Sequence, residues 1–369
     1  MFRKVKKKRR RYYRQIMRLL YINISLSKGE IAKILKRQEH TLLYKSALSE
    51  TTETYYLLRG DMDLDFDHHG IKMIFKKRGG LSFIASAVRF AAVKRIDVVI
   101  VHGLTNILYA PVFKLMTKSK LVFQHHGERF YHGRKSWMMR FTDPFIDGYF
   151  FSGGDLAGDY IKNKCIQPSK VFEIPEASSG FRANGHASPS QKKMVFIGRL
   201  VPGKNLHVLL QALTGISADS YQLEIYYSDD TLLAELQRIS AVLGLERNIH
   251  FKGFVPHTEI ERILNGADIF ISCSDYEGSG YALIEALACG TYPVVSDIGA
   301  FNYLLRGLAH KRQFKPGDHV ALTVQLKSVL ELEIGHEVRK EIRRHFESVA
   351  SPRAVASQVK KAAVYLLSK

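Results

Sequence analysis

Between residues 193 and 300, short runs rich in Val, Ile, Phe and Tyr alternate with stretches that are apolar at every third or fourth position. The runs at 193–200, 223–227, 249–254, 269–273 and 292–296 read as strands. The stretches at 206–214, 232–243, 258–264 and 281–288 read as helices. This alternation predicts an α/β fold with a parallel sheet covered by helices on both faces. Right-handed crossovers leave few topologies for such a chain.

The first half repeats the habit less regularly. Strands are expected at 19–24, 41–44, 72–75, 97–101, 120–124 and 148–152, and helices at 29–38, 81–94 and 155–164. Residues 177–191 (ASSGFRANGHASPSQ) are small, polar and rich in turn formers, and read as a linker. The chain of 369 residues is long enough for two domains. We expect a basic tail at 1–20, one domain at 21–186 and a second at 187–350. A helical segment at 351–369 is able to dock back onto the first domain.

Composition narrows the function classes. No uninterrupted apolar run is long enough to span a bilayer; the best, 96–113, carries Asp97, His102 and Asn106. Cys165, Cys273 and Cys289 are an odd set in a large chain, which reads as reduced, buried thiols and a cytoplasmic protein. The net charge of +20 is uneven: residues 1–18 hold ten Lys/Arg and no acid, and the remainder holds 45 bases against 35 acids. Such an end attracts polyanions, either anionic lipid or nucleic acid, or serves as a solubilising tail. We read it as a contact with an anionic membrane surface, worth about 1 kcal/mol per base.

The chemistry is concentrated in EGSGYALIEALACG, residues 277–290. A strand precedes it, Gly278-Ser279-Gly280 forms a turn, and a helix follows until Gly290. In an open parallel sheet, ligands bind beyond the carboxyl ends of the strands. Glycines let backbone approach a ligand, and a helix start favours a phosphate. Glu277 precedes the helix and Glu285 lies just over a turn inside it. Carboxylates accept hydrogen bonds from hydroxyls, not from phosphates. Two of them flanking a phosphate cradle suggest a diphosphate with hydroxyls on both sides, as in a nucleotide sugar. The stretch FIGRLVPGKN, at the end of the domain's first strand, adds Arg199 and Lys204 beside a Pro-Gly turn. Two cations there suit a departing diphosphate.

These stretches, with GRLVPGKNLHVLLQA, HFKGFVPHTEI and SDYEGSGYALIEALACGTYPVVSDIGA, resemble the C-terminal domain of retaining glycosyltransferases of family 4. The Glu-x7-Glu pattern of that family is matched by Glu277 and Glu285. The resemblance implies the GT-B fold, two Rossmann-like domains facing each other across a cleft. It also implies that Gly198, Arg199 and Lys204 meet the donor diphosphate and that Gly278, Ser279, Gly280 and Tyr281 offer backbone to phosphate. Glu285 then contacts the ribose, Glu277 the donor sugar, and Phe254 and Val255 border the base. By the same resemblance, His126 in KLVFQHHGERF faces the transferred sugar, and the catalytic set is His126, Glu277, Arg199 and Lys204. Asn205 replaces a common glycine, Ser279 stands where an aromatic is frequent, IPEASSGF lacks an Asn-Gly, and YINISLSKGE stands where a glycine-rich loop is usual.

Other stretches carry less. His102 after DVVIV is a second histidine at a strand end. DMDLDFDHH (61–69) tempts a metal reading, but its acids alternate with Met62, Leu64 and Phe66, the period of a strand with one solvated face. It also lacks the glycine and terminal glutamate of a calcium loop. The bases at 76–78 and 129–135 add to the positive surface of the first domain. The combined reading is a retaining transfer of a sugar from a nucleotide-sugar donor, UDP by default, to a glycan or lipid-linked saccharide in cell-surface polysaccharide synthesis. No metal or other cofactor is expected, and membrane lipid is preferred to nucleic acid as a partner. A nucleotide-sugar epimerase or inverting transferase on the same fold, and a non-enzymatic nucleic-acid binder, are the alternatives.

Overall fold

A computed structural model describes residues 16–27, 30–77, 79–125, 127, 130, 133–184 and 191–369. The chain divides into two compact units. The first runs through Glu176 and takes in Pro352–Lys369; the second is Ala177–Ser351.

The first unit contains β1 (Arg18–Ser27), β2 (Glu53–Gly60), β3 (Leu64–His68), β4 (Ile71–Lys76), β5 (Val98–His102), β6 (Lys120–Gln124), β7 (Gly148–Phe151) and β8 (Val171–Glu173). Their order in the sheet is β3-β4-β2-β1-β5-β6-β7-β8. Every pairing is parallel except β3 with β4. Successive residues of β1 point to opposite faces, so Leu20 and Ile22 join one core and Leu19 and Tyr21 the other. A strand buried on both sides reads as a continuous apolar run, which is why LLYINI carries no alternation.

The second unit holds β9 (Lys192–Gly198), β10 (Tyr221–Tyr227), β11 (Ile249–Gly253), β12 (Ile269–Ser272), β13 (Tyr292–Ser296) and β14 (Arg312–Phe314). The order is β11-β10-β9-β12-β13-β14, all parallel. One continuous core surrounds this sheet. All carboxyl ends therefore share one edge, and β9 and β12 are neighbours at its centre.

Four expectations need correction. Residues 18–20, expected in the basic tail, open β1: Leu19 and Leu20 are buried in the sheet's two cores and Arg18 pairs with Glu53 at 2.9 Å. Residues 41–44, expected as a strand, lie in the helix Glu39–Ser49. The β-favouring TLLY string is overridden because Thr41, Tyr44, Lys45 and Leu48 fall on one helical face and are buried together. The strand β2 was not foreseen; it follows that helix almost directly, with only Glu50, Thr51 and Thr52 between. The division falls at Glu176/Ala177 rather than 186/187, because the polar start of the linker is packed: Ser178 and Ser179 are buried and the Phe181 ring stacks on His257. The helix Pro352–Ser368 inserts Val355, Val359, Ala363 and Leu366 into the same core as Tyr44 and Leu48 of the first unit. Cys165, Cys273 and Cys289 are buried and unbridged. Among the described residues no helix is long and apolar enough to cross a membrane.

Candidate functional site

The loop after β9 is tied down at both ends. The amide of Leu200 donates to the carbonyl of Asp229 beyond β10, at 2.9 Å. Pro202–Lys204 makes a 3-10 turn, and Asn205 follows at φ 49° in the left-handed region. Asparagine tolerates that conformation better than other non-glycine residues, so the chain keeps the turn without the expected glycine. The Asn205 side-chain amide donates to the carboxylate of Asp275, and the Asp275 amide donates to the Gly203 carbonyl at 3.1 Å. The loops after β9 and β12 are thus laced together.

That lacing brings Lys204 and Glu277 into contact. Lys204 Nζ donates to Glu277 Oε1, which also accepts from Ser274 Oγ at 2.7 Å. Their side chains are 19% and 17% exposed, so the pair is largely shielded yet reachable. Ser296 Oγ donates to the Ser274 carbonyl at 2.6 Å, anchoring the same loop to β13. Arg199 is exposed at the same edge. Nearby Asp229 is held below the usual carboxylate range, chiefly by the hydroxyl and amide of Thr231 and lastly by the Arg199 charge.

The helix Tyr281–Ala288 begins at Gly280, whose φ is 65°. A Cβ there would lie 3.0 Å from Phe301 Cε1 and 3.3 Å from Leu304 Cδ1. Both the backbone and the packing therefore require glycine. The first helical bond runs from the Ile284 amide to the Gly280 carbonyl at 3.0 Å. The amides of the first turn lie outside the helical ladder and carry the positive end of the dipole. Ser279 is buried, Gly278 half-buried, and Tyr281 sits at the surface.

One turn further, Glu285 is 5% exposed, with Oε1 2.6 Å from His257 Nε2. His257 begins the helix His257–Asn265 and lies flat on Phe181, ring centroids 5.1 Å apart. Sequence reasoning missed His257. The available signal was its place in FVPHTEI, after Pro256 and two residues beyond Val255. Phe254, just past β11, is 73% exposed, an apolar ring standing in solvent at the ligand edge; Val255 is half-buried.

Gly198, Arg199, Lys204, Phe254, Val255, Glu277, Gly278, Ser279, Gly280, Tyr281 and Glu285 therefore all lie at or beyond the carboxyl edge of the second sheet. The arrangement joins cations, oriented amides and two carboxylates, the groups a hydroxyl-bearing diphosphate needs.

In the first unit, His126 lies outside the described residues, as do residues 1–15. The adjacent His125 is 1% exposed and its ring stacks on Phe151 at 4.9 Å. His102 Nε2 lies 2.9 Å from Glu176 Oε1. The acids of 61–69 have separate local partners on the edge strand: Asp63 accepts from the Lys77 amide, Asp65 meets Lys76 at 3.4 Å and Asp67 accepts from the Gly70 amide at 3.0 Å.

Residues 181–347 match the family model of Glycosyl transferases group 1. A phosphatidyl-myo-inositol mannosyltransferase of Mycobacterium leprae is 33% identical over 150 residues, 40% of this chain and 39% of that protein. The phosphatidylinositol N-acetylglucosaminyltransferase GPI3 subunit of Saccharomyces cerevisiae is 24% identical over 232 residues, 58% of this chain and 50% of that protein. The chain thus spans about half or less of the length of these curated relatives. HepE of Anabaena, solved in complex with UDP, superposes with a TM-score of 0.71 at 15% identity, over 95% of this chain and 100% of that one. That likeness is one of fold: two parallel-sheet α/β domains of the GT-B class.

Proposed function

We infer that the chain, whose residues 181–347 belong to the glycosyl transferases group 1 family, moves a sugar from a nucleotide-sugar donor to a glycan or lipid-linked acceptor. The observation that carries this is the contact of Lys204 with Glu277 beside the glycine turn that starts the helix of Glu285.

The diphosphate lies against the amides of Ser279, Gly280 and Tyr281 and draws Lys204 from Glu277, with Arg199 adding charge. Glu277, released, accepts hydrogen bonds from the sugar hydroxyls, and Glu285 does the same for the ribose. Phe254 and Val255 border the base. As the glycosidic bond to the diphosphate lengthens, the sugar takes on oxocarbenium character and negative charge grows on the leaving group. Arg199, Lys204 and the helix start stabilise that charge without a metal ion. Retention at the anomeric carbon follows from the resemblance to family 4, and His126 is assigned to the sugar on the same ground. UDP is the proposed nucleotide, supported by the UDP-bound HepE.

The first unit receives the acceptor. Both curated relatives above are named for phosphatidylinositol substrates, which supports a lipid-linked acceptor. We place the protein at the cytoplasmic membrane face, with the basic residues that precede β1 on anionic lipid, in cell-surface polysaccharide synthesis.

Calorimetric titration with UDP, GDP and their sugar conjugates identifies the donor. NMR of the product then reports linkage and anomeric configuration. A retained linkage to an acceptor supports the proposal; an inverted linkage, or an epimerised donor with no acceptor product, replaces it. Nucleic-acid binding that falls steeply with salt while nucleotide sugars fail to bind would replace it altogether.

A further inference from the structure

The helix Arg134–Thr142 turns an unusual face outward. Ser136, Met139 and Thr142 are buried, whereas Trp137 is 66% and Phe141 58% exposed. These two rings, one helical turn apart, stack on each other with centroids 5.9 Å apart. The helix packs against the 3-10 segment Leu104–Tyr109, which leads into the helix Ala110–Met116. Those elements expose Leu108, Val112, Leu115 and Met116, with Leu115 80% exposed. Six large apolar side chains therefore stand in water on this helix, the 3-10 segment it packs against and the helix that segment leads into. Surface apolar residues that gather in this way mark a contact surface.

The charge around them identifies the partner. Between residues 104 and 142 the sequence has seven Lys/Arg and a single acid. Lys118, Arg134, Lys135 and Arg140 are exposed beside the apolar side chains. The acids that follow are engaged locally: Asp143 is buried with Lys170 at 3.1 Å, and Asp147 holds Lys114 at 2.7 Å. Tryptophan and phenylalanine ringed by bases suit the boundary between acyl chains and anionic headgroups. A second copy fits poorly, because a two-fold contact would set this positive rim against itself.

We propose that the helix Arg134–Thr142 and the neighbouring helix Ala110–Met116 form a membrane-docking surface that seats Trp137 and Phe141 in the interface of an anionic bilayer. It is distinct from residues 1–18 and independent of the donor chemistry. One basic tail gives reversible attachment, and an inserted aromatic face supplies the second anchor that stable attachment needs.

Trp137 is the chain's one tryptophan, so the native protein carries its own probe. The full chain is titrated with vesicles of phosphatidylcholine, with and without phosphatidylglycerol, while tryptophan emission and its quenching by iodide are recorded. With anionic vesicles the emission moves to shorter wavelength and iodide loses access; with pure phosphatidylcholine both changes are weaker. In vesicle sedimentation, Phe141→Ser with Leu115→Ser lowers affinity by roughly tenfold while leaving donor binding intact. Unchanged emission and full iodide access at saturating anionic lipid overturn the proposal, even if the protein sediments with the vesicles. So does an emission shift that appears without lipid on raising protein concentration, which would identify a second copy as the occupant.

Discussion

Replacing Glu277 with Gln separates two jobs that the native side chain performs. In the free protein it pairs with Lys204; in the proposed donor complex it holds sugar hydroxyls. The ion pair is less than one-fifth exposed, and its Coulomb energy at an effective dielectric near 20 is on the order of 4–6 kcal/mol. Most of that is offset by desolvation, leaving roughly 1 kcal/mol that UDP must overcome to take Lys204. Glu277→Gln removes this competition, and UDP alone should bind about fivefold tighter. The sugar loses a charge-assisted hydrogen bond worth about 1.5–3 kcal/mol. The preference for UDP-sugar over UDP should then fall by roughly ten- to a hundredfold. Calorimetry of both proteins with UDP and UDP-glucose at fixed salt measures the two effects. If both ligands weaken by the same factor, Glu277 does not read the sugar and the assignment fails.

Other expectations concern fold and site. Gly280→Ala puts a Cβ 3.0 Å from Phe301 at a φ of 65°; it should cost about 2–4 kcal/mol, read as a lowered urea midpoint. Glu285→Ala should weaken nucleotide-sugar binding tenfold or more by calorimetry, and leave vesicle sedimentation unchanged. Deleting residues 2–15, which precede β1, should reduce sedimentation with anionic vesicles; equal binding would remove the tail from the account. Lys45 is buried over the rings of Tyr21, Tyr44 and Tyr56, and burial pulls its pKa down to about 7 against the opposing charge of Glu176. Between pH 7 and ~10 the unfolded chain holds a proton that the folded chain lacks, so stability rises with pH there and the penalty is full below pH 7. Lys45→Met should stabilise the protein at and below neutral pH, by at most about 5 kcal/mol, with the gain fading towards pH 10; parallel stability curves for the two proteins would contradict this.

Legibility differed between the halves for physical reasons. In the second unit each strand is a short apolar run set off by turn residues, so β9 through β13 lie within two residues of their expected bounds. In the first unit, local propensity misled where helix and strand share the same residue types. Thr41 and Tyr44 of TLLY are buried on a helical face with Lys45 and Leu48, and ETYYLLRG follows that helix without a Gly or Pro to announce it. The linker misled because small polar residues signal a turn when they are solvated, whereas Ser178 and Ser179 are buried. Lys204, Glu277 and Glu285 were readable because their strand–turn–helix context fixes which sheet edge they occupy. The contact between Lys204 and Glu277, separated by 73 residues, needed the β9–β12 adjacency. His257 stayed hidden because its partner, Glu285, lies 28 residues away on a different helix.

The most direct test is a crystal structure of the chain with a bound nucleotide sugar. The account predicts diphosphate oxygens within hydrogen-bonding distance of Lys204 Nζ and of the amides that open the helix Tyr281–Ala288, with Glu277 turned to the sugar and Glu285 to the ribose. A donor seated away from this sheet edge, or a diphosphate held by a divalent cation in place of Arg199 and Lys204, would contradict it.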